Sequence, residues 1–221
     1  MARDDEVVLL DFWTSPYALR VRIALAEKGV AYQHKEENLW DKSPLLLNSN
    51  PVHKKIPVLI HNGKPVAESL IILQYIDEVW SDRCPLLPKD PQQRANVRFW
   101  ADFFEKKIDA SGSMTWRVKG EAQVAAKNEF IAQLKLLEEE LAENPFFGGE
   151  TFGYMDIVFI SFASWFYSYE KSANFSIEEE CPRLMAWKKR CMERESVLKH
   201  LPEPEKIYEY MCSIKNKWKM E

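Results

Sequence analysis

The sequence predicts a two-part chain, an α/β domain followed by an all-helical one. Three observations carry this. Strand-like and helix-like segments alternate in short units up to about Asp82. A stretch with two prolines in four residues, Arg83-Cys84-Pro85-Leu86-Leu87-Pro88, then interrupts the pattern. From Asp90-Pro91 onward the apolar residues follow helical periodicity alone. The expected division is a first domain over 1–82, a linker over 83–90 and a helical domain over 91–221.

The first domain reads element by element. Val7 to Phe12 is a β-branched and aromatic run, hence a buried strand. Pro16 to Lys28 is a helix closed by Gly29 at its C′ position. Ala31 to Lys35 is a weaker second strand. Ser43-Pro44 repeats the Ser-Pro start of the first helix, and Asn50-Pro51 stops this short second one. Ile56 to Ile60 is a strand, and His61-Asn62-Gly63-Lys64 carries the Asn-Gly dipeptide of a type I′ hairpin. Pro65-Val66-Ala67 is the return strand, placed at a sheet edge by its proline. Glu68-Ser69 opens a helix to about Trp80, with Ile72, Tyr75, Ile76 and Val79 at i, i+3, i+4, i+7 spacing. The order βαβαββα, a crossover to a parallel strand followed by a hairpin, is the thioredoxin-like layout.

In the second half, helical patterns run over about 91–118, 122–142, 154–169, 182–194 and 203–217. Asn144-Pro145 and Gly148-Gly149 separate the second from the third. Phe152 to Tyr169 is nearly apolar and close to membrane length, but it contains Asp156 and three serines. It reads as a central helix buried all round.

Composition narrows the function. The chain has 221 residues, 46% hydrophobic and 29% charged, enough for substantial cores. A net charge of -4 and a pI of about 5.7, without a basic block, point away from nucleic acid and anionic membrane. The acidic start MARDDEVV has no leader character. Cys84, Cys181, Cys191 and Cys212 lie far apart with no CxxC, and His34, His53, His61 and His200 show no ligand spacing. The expectation is a cytosolic protein that uses no metal and no cofactor.

Asp11-Phe12-Trp13-Thr14-Ser15-Pro16-Tyr17 is the most informative corner. Ser15 fits a helix N-cap, with Pro16 at the first helical position. It equally fits a hydroxyl aimed at a ligand, because a helix N-terminus offers free N–H groups and partial positive charge to an anion. The local sequence leaves both readings open.

The chain resembles the plant tau-class glutathione S-transferases. The blocks that carry the resemblance are VVLLDFWTSPYALRVRIALAEKGV, NPVHKKIPVLIHNGKPVAESLIILQYIDEVW, RFWADFFEKK, and ECPRLMAWKKRC with ESVLKHLP. They span nearly the whole chain in order. The second is the most specific, with Ile-Pro, Asn-Gly and Glu-Ser in register. The resemblance implies a cytosolic transferase that joins glutathione, as co-substrate, to small hydrophobic electrophiles. It implies that Ser15 activates the glutathione thiol. It also implies a cis Pro57 that lets the Ile56 main chain pair with the cysteinyl backbone. Glu68 and Ser69 would grip the γ-glutamyl end, and Lys42 and Lys55 the glycyl end. These roles suit a ligand with two carboxylates, one ammonium and one thiol. Taken singly, each residue has a plain reading as well: a trans proline, a solvated lysine, a helix start.

A serine is no general base near pH 7, but it can donate a hydrogen bond to a thiolate. Lowering a thiol pKa by roughly two units requires about 2.7 kcal/mol of preference for the anion. One charge-assisted hydrogen bond supplies about 1.5–3 kcal/mol. The helix dipole adds up to about 1 kcal/mol. Related classes with a cysteine at this corner act as thiol transferases, so the resemblance, with serine at residue 15 and no cysteine before the linker, implies that such chemistry is not expected here.

The resemblance places the electrophile in a cleft between the two domains, against Phe12, Tyr17, Leu39, Trp116, Trp165 and Tyr210. Each of these can also be plain core. Asp109 and Ser113 stand where aromatic or basic residues are common in the class. Tyr17 replaces the usual Phe, and Gly153 replaces Ser or Thr as cap to Asp156, which reads as structural. A homodimer is implied, with Asp77, Glu78, Arg94 and Arg98 as candidate cross-subunit partners. Hydroperoxide reduction by the same thiolate, and a non-catalytic carrier of apolar ligands, are the alternatives.

Overall fold

The computed structural model describes residues 6–218. The acidic start read above as lacking leader character lies outside them for residues 1–5. Two compact units divide between Leu87 and Pro88.

The first unit is built on four strands, β1 (Val7–Asp11), β2 (Gln33–Glu36), β3 (Val58–His61) and β4 (Lys64–Ala67), in the order β2-β1-β3-β4. Strand β1 is central, and all five of its residues are buried. The run Val-Val-Leu-Leu suits a strand covered on both faces. It pairs parallel with β2 and antiparallel with β3, which pairs antiparallel with the edge strand β4. Asn62 and Gly63 have φ of 49° and 75°, as a type I′ hairpin requires at both central positions.

Helix α1 (Pro16–Glu27) follows β1, and Gly29 past its end adopts φ 58°. Helix α2 (Pro44–Ser49) contributes one buried side chain, Leu46, to a cluster with Val8, Leu10 and Val58. Helix α3 (Ser69–Val79) buries Ile72, Leu73 and Ile76. Val79, expected on that face, is exposed, and Trp80 takes its place.

The end of the first unit is held by a buried ion pair. Lys28 Nζ lies 2.7 Å from Asp77 Oδ1 with its side chain wholly buried. The Asp77 carboxylate also accepts the N–H groups of Leu86 and Leu87 at 2.8 and 3.0 Å. Asp77, read above as a candidate cross-subunit partner, is thus engaged within its own chain. Arg94 likewise donates to the carbonyls of Pro88 and Lys89. Glu78 and Arg98 are exposed.

In the second unit the long helix expected over 91–118 is interrupted. Helix α4 (Pro91–Phe103) leads through a π-helical turn, Phe104–Ile108, into α5 (Asp109–Arg117). Next come α6 (Gly120–Leu141) and α7 (Tyr154–Ile160), whose seven residues are all buried. The apolar run breaks at Ser161-Phe162 before α8 (Ala163–Ala173). Two short helices, α9 (Ile177–Glu180) and α11 (Glu195–Leu198), flank α10 (Pro182–Met192), and α12 (Pro204–Trp218) closes the described chain. Among the described residues no helix is long and apolar enough to cross a membrane.

Asp156 organises this unit. Its carboxylate accepts from Trp187 Nε1 at 2.7 Å, Phe147 N at 3.0 Å and Gly153 N at 2.9 Å. The last bond is the half of a capping box that survives when the cap is glycine. Burial pushes the carboxyl up to about 6, against the pull of these three donors.

Candidate active site

Ser15 caps α1. Its backbone is extended (φ -73°, ψ 113°), and its Oγ accepts the Ala18 N–H at 3.3 Å. The residue is 9% exposed. A hydroxyl has one proton and two lone pairs, so the cap occupies only acceptor capacity. Among the described residues no acceptor takes the Ser15 proton. The preceding strand end is locked. Asp11 is fully buried and holds Arg22 at 2.6 Å and His34 at 2.5 Å, so the turn from Phe12 to Ser15 leaves a fixed origin.

The N-terminus of α3 is built unlike an ordinary helix start. Glu68 stands at the cap with φ 72°, and its side chain does not cap. That carboxylate is half exposed and lies 3.8 Å from His53 Nε2. Ser69 Oγ instead accepts from Arg20 Nη1 at 2.9 Å. Arg20 is fully buried one turn after Ser15, so α1 carries both the Ser15 hydroxyl and the anchor of Ser69. Sequence reasoning passed over Arg20, although an arginine between Leu19 and Ile23 on an apolar helix face is a usable signal.

The Ile56-Pro57 peptide is cis. Pro57 is buried and Ile56 partly so, packed against the Val8, Leu10, Leu46 and Val58 cluster. Lys42 and Lys55 are exposed, and Lys42 Nζ donates to the Lys54 carbonyl at 2.9 Å. The six candidate glutathione-binding residues thus occupy two loops, before and after α2, and one helix start. They are tied by Lys42 to Lys54, by His53 to Glu68 and by Arg20 to Ser69.

The candidate electrophile positions separate by unit. In the first, Phe12 lies at the end of β1, 6.3 Å from the Trp13 ring. The Arg20 guanidinium stands 5.2 Å from the Tyr17 ring centroid. Leu39 is partly buried in the loop after β2. In the second, Trp116 and Trp165 stack at 6.3 Å, and Trp165 meets Tyr169 at the same distance. Trp116 is only 5% exposed, whereas Trp165 and Tyr210 are partly open. Ser113 spends its hydroxyl on the Ala110 carbonyl. Among the described residues no group of His, Cys, Asp and Glu is placed to hold a metal ion.

A thioredoxin-like unit followed by an all-helical unit, with a serine at the first strand–helix corner and a cis-proline loop, defines the cytosolic glutathione transferase class. Comparison with known proteins agrees. The model of the glutathione S-transferase N-terminal domain matches residues 5–78, and that of the C-terminal domain residues 99–195. The chain is 58% identical to glutathione S-transferase U25 of Arabidopsis thaliana over 98% of both chains. It is 60% identical to probable glutathione S-transferase parA of Nicotiana tabacum, over 96% of this chain and 97% of that one. Rice GST1, solved in complex with glutathione, superposes with a TM-score of 0.94 at 49% identity, covering 98% of this chain and 99% of that one. A tau-class enzyme from mango, Mangifera indica, gives 0.89 at 45%, over 93% and 96%. The chain belongs to the tau class of plant glutathione S-transferases, and it is a glutathione transferase.

Proposed function

We propose that this transferase attacks small hydrophobic electrophiles with the thiolate of reduced glutathione, and that the Ser15 hydroxyl stabilises that thiolate. The observation that carries the reading is the state of Ser15: buried, seated on a helix N-terminus, with its proton unclaimed by any described residue. A free thiol of pKa about 8.5 is only a few per cent ionised at pH 7. A hydroxyl donating to the sulfur raises that fraction, and the N-terminal dipole of α1 acts in the same direction. The electrophile then meets a held nucleophile, and no covalent enzyme intermediate is needed.

The tripeptide would lie along the first unit. Its γ-glutamyl carboxylate would take Ser69 and the N–H groups that open α3, and its ammonium would take Glu68. The Ile56 main chain, set by Pro57, would pair with the cysteinyl backbone. Lys42 and Lys55 would face the glycyl carboxylate. Phe12, Tyr17, Leu39, Trp116, Trp165 and Tyr210 are the positions offered to the electrophile. Residues 1–82 would bind glutathione, 83–90 would link, and 91–221 would supply the hydrophobic side. Detoxification of foreign compounds, herbicides included, and of stress products in the cytosol, by a homodimer that uses no cofactor, completes the reading. Hydroperoxide reduction would use the same thiolate.

A carrier of apolar ligands is the second reading, favoured by the stacked Trp116–Trp165 pair. A panel of haloarenes, isothiocyanates and lipid hydroperoxides assayed with the pure protein decides between them. Turnover with at least one class, lost in Ser15→Ala, supports the transferase. Tight binding of apolar dyes with no turnover on any class would establish the carrier instead.

A further inference from the structure

Lys42 and Lys55 stand on two separate segments, 37–43 before α2 and 50–57 after it. Little apolar burial fixes them. Helix α2 has six residues and inserts only Leu46 into the core. Burying one leucine is too little to hold some twenty residues of loop and short helix in one geometry against their backbone entropy. Polar side chains do this instead, and two of them are buried.

Glu37 is 5% exposed. Its carboxylate accepts the Ser43 hydroxyl at 2.7 Å and the Ser43 N–H at 3.2 Å. Ser43 Oγ in turn accepts the Leu46 N–H at 3.0 Å, so Glu37 secures the cap of α2. The Glu37 main chain is itself fastened to β1, its N–H donating to the Asp11 carbonyl at 2.8 Å. Lys42, next to Ser43, therefore stands on a segment pinned to the sheet from one side. On the far side Asn50, 4% exposed, accepts the His53 N–H at 3.1 Å and donates to the Lys55 carbonyl at 2.9 Å. The Lys42–Lys54 bond closes the ring. A carboxylate buried in a loop is costly unless its bonds are made, so its presence on the segment that carries Lys42 calls for a reason.

We propose that Glu37 is a positioning residue for the glycyl end of glutathione, holding Lys42 in register with Lys55 through Ser43. This rests on the glutathione site proposed above. Glu37 touches neither the sulfur nor the electrophile. Its loss should therefore raise the KM for glutathione and leave kcat and its pH profile in place.

The test compares glutathione with γ-glutamylcysteine, the same thiol without the glycine, in wild type and in Glu37→Ala, with one haloarene as electrophile. Wild type should prefer glutathione by KM, which tests the glutathione site itself. In Glu37→Ala the KM for glutathione should rise about 10-fold, the equivalent of one weakened charge-assisted contact. The preference over the dipeptide should collapse. If Glu37→Ala does not fold, Glu37→Gln, which keeps an acceptor for Ser43, carries the same comparison with a smaller loss. Wild type that does not distinguish the two thiols would refute the glycyl-end assignment. A wild-type preference that survives intact in the variants, or a KM that rises equally for both thiols, would overturn the role of Glu37 alone.

Discussion

The Ser15 oxygen serves as cap acceptor through a lone pair, and this leaves its proton for the role proposed above. Ser15→Ala should therefore cost both functions unequally. Stability should fall by about 1 kcal/mol, the usual loss on removing a serine cap. Turnover should fall roughly 10- to 100-fold, the rate equivalent of about 1.5–3 kcal/mol. Steady-state kinetics beside a thermal melt separate the two, and turnover within about twofold of wild type would reduce Ser15 to a cap. Ser15→Cys probes the same geometry differently. A thiol at a helix N-terminus is ionised more readily, so it should form a mixed disulfide with oxidised glutathione while conjugation falls. The native cysteines are graded controls. Cys181 is buried and pushed up to about 12 by desolvation, Cys191 is buried and raised further, Cys212 is half-buried and Cys84 exposed. Mass spectrometry should find the adduct first at residue 15, and an adduct at Cys84 before residue 15 would count against the corner geometry. Ser15 was legible because Ser-Pro after an apolar strand is a strong local pattern. The buried arginine at position 20 left a signal, but its role did not, because its partner Ser69 is 49 residues away and only the packing of α1 against α3 joins them.

At the scale of elements, local signals carried some boundaries and failed at others for physical reasons. Strand β1 and the Asn-Gly hairpin were plain in the sequence. Strand β2 was weak because Gln33, His34, Lys35 and Glu36 are all exposed, so pairing with β1 and not burial makes it a strand. The π turn at Phe104–Ile108 left no pattern, since one extra residue in a helix barely disturbs apolar spacing. Gly112 shows what close packing demands. A Cβ there would lie 2.9 Å from Phe130 Cε2 and 3.1 Å from Tyr169 Cε2, both on buried rings. Gly112→Ala should lose about 1–2 kcal/mol despite its better helix propensity. The melting temperature should then drop by roughly 2–8 °C, and a rise would contradict the packing account. Asp156 adds a pH signature. Its folded pKa of about 6 stands above the ordinary 3.8, so the folded state binds the proton more tightly. The contribution of this group is then fullest below about pH 4 and declines as pH rises toward 6. The melting-temperature advantage of wild type over Asp156→Asn should shrink across that window. A constant gap would show that the three donors offset desolvation, and a widening one that they outweigh it.

For the whole molecule, the two-part plan was legible from texture alone, because strand alternation stops where the prolines of 85–88 begin. The fate of charges was not. Asp77 looked available on a helix face, yet it is spent on Lys28 and on the N–H groups of Leu86 and Leu87. Asp77→Ala should leave a buried ammonium without its counter-charge and cost about 3–5 kcal/mol, read by denaturant unfolding. A loss under about 1 kcal/mol, the surface-pair value, would contradict the burial. A homodimer predicts a light-scattering mass of about twice the 25.9 kDa chain at micromolar concentration, and Asp77 should not govern it except through folding.

The central claim is that a serine hydroxyl makes the bound sulfur an anion. The direct measurement is the ultraviolet thiolate absorbance of glutathione bound to wild type and to Ser15→Ala, followed against pH. The wild-type midpoint should lie roughly two units below the free thiol value of about 8.5. In Ser15→Ala it should move back up by at least about one unit, the equivalent of about 1.4 kcal/mol. The same midpoint in both proteins would contradict the claim.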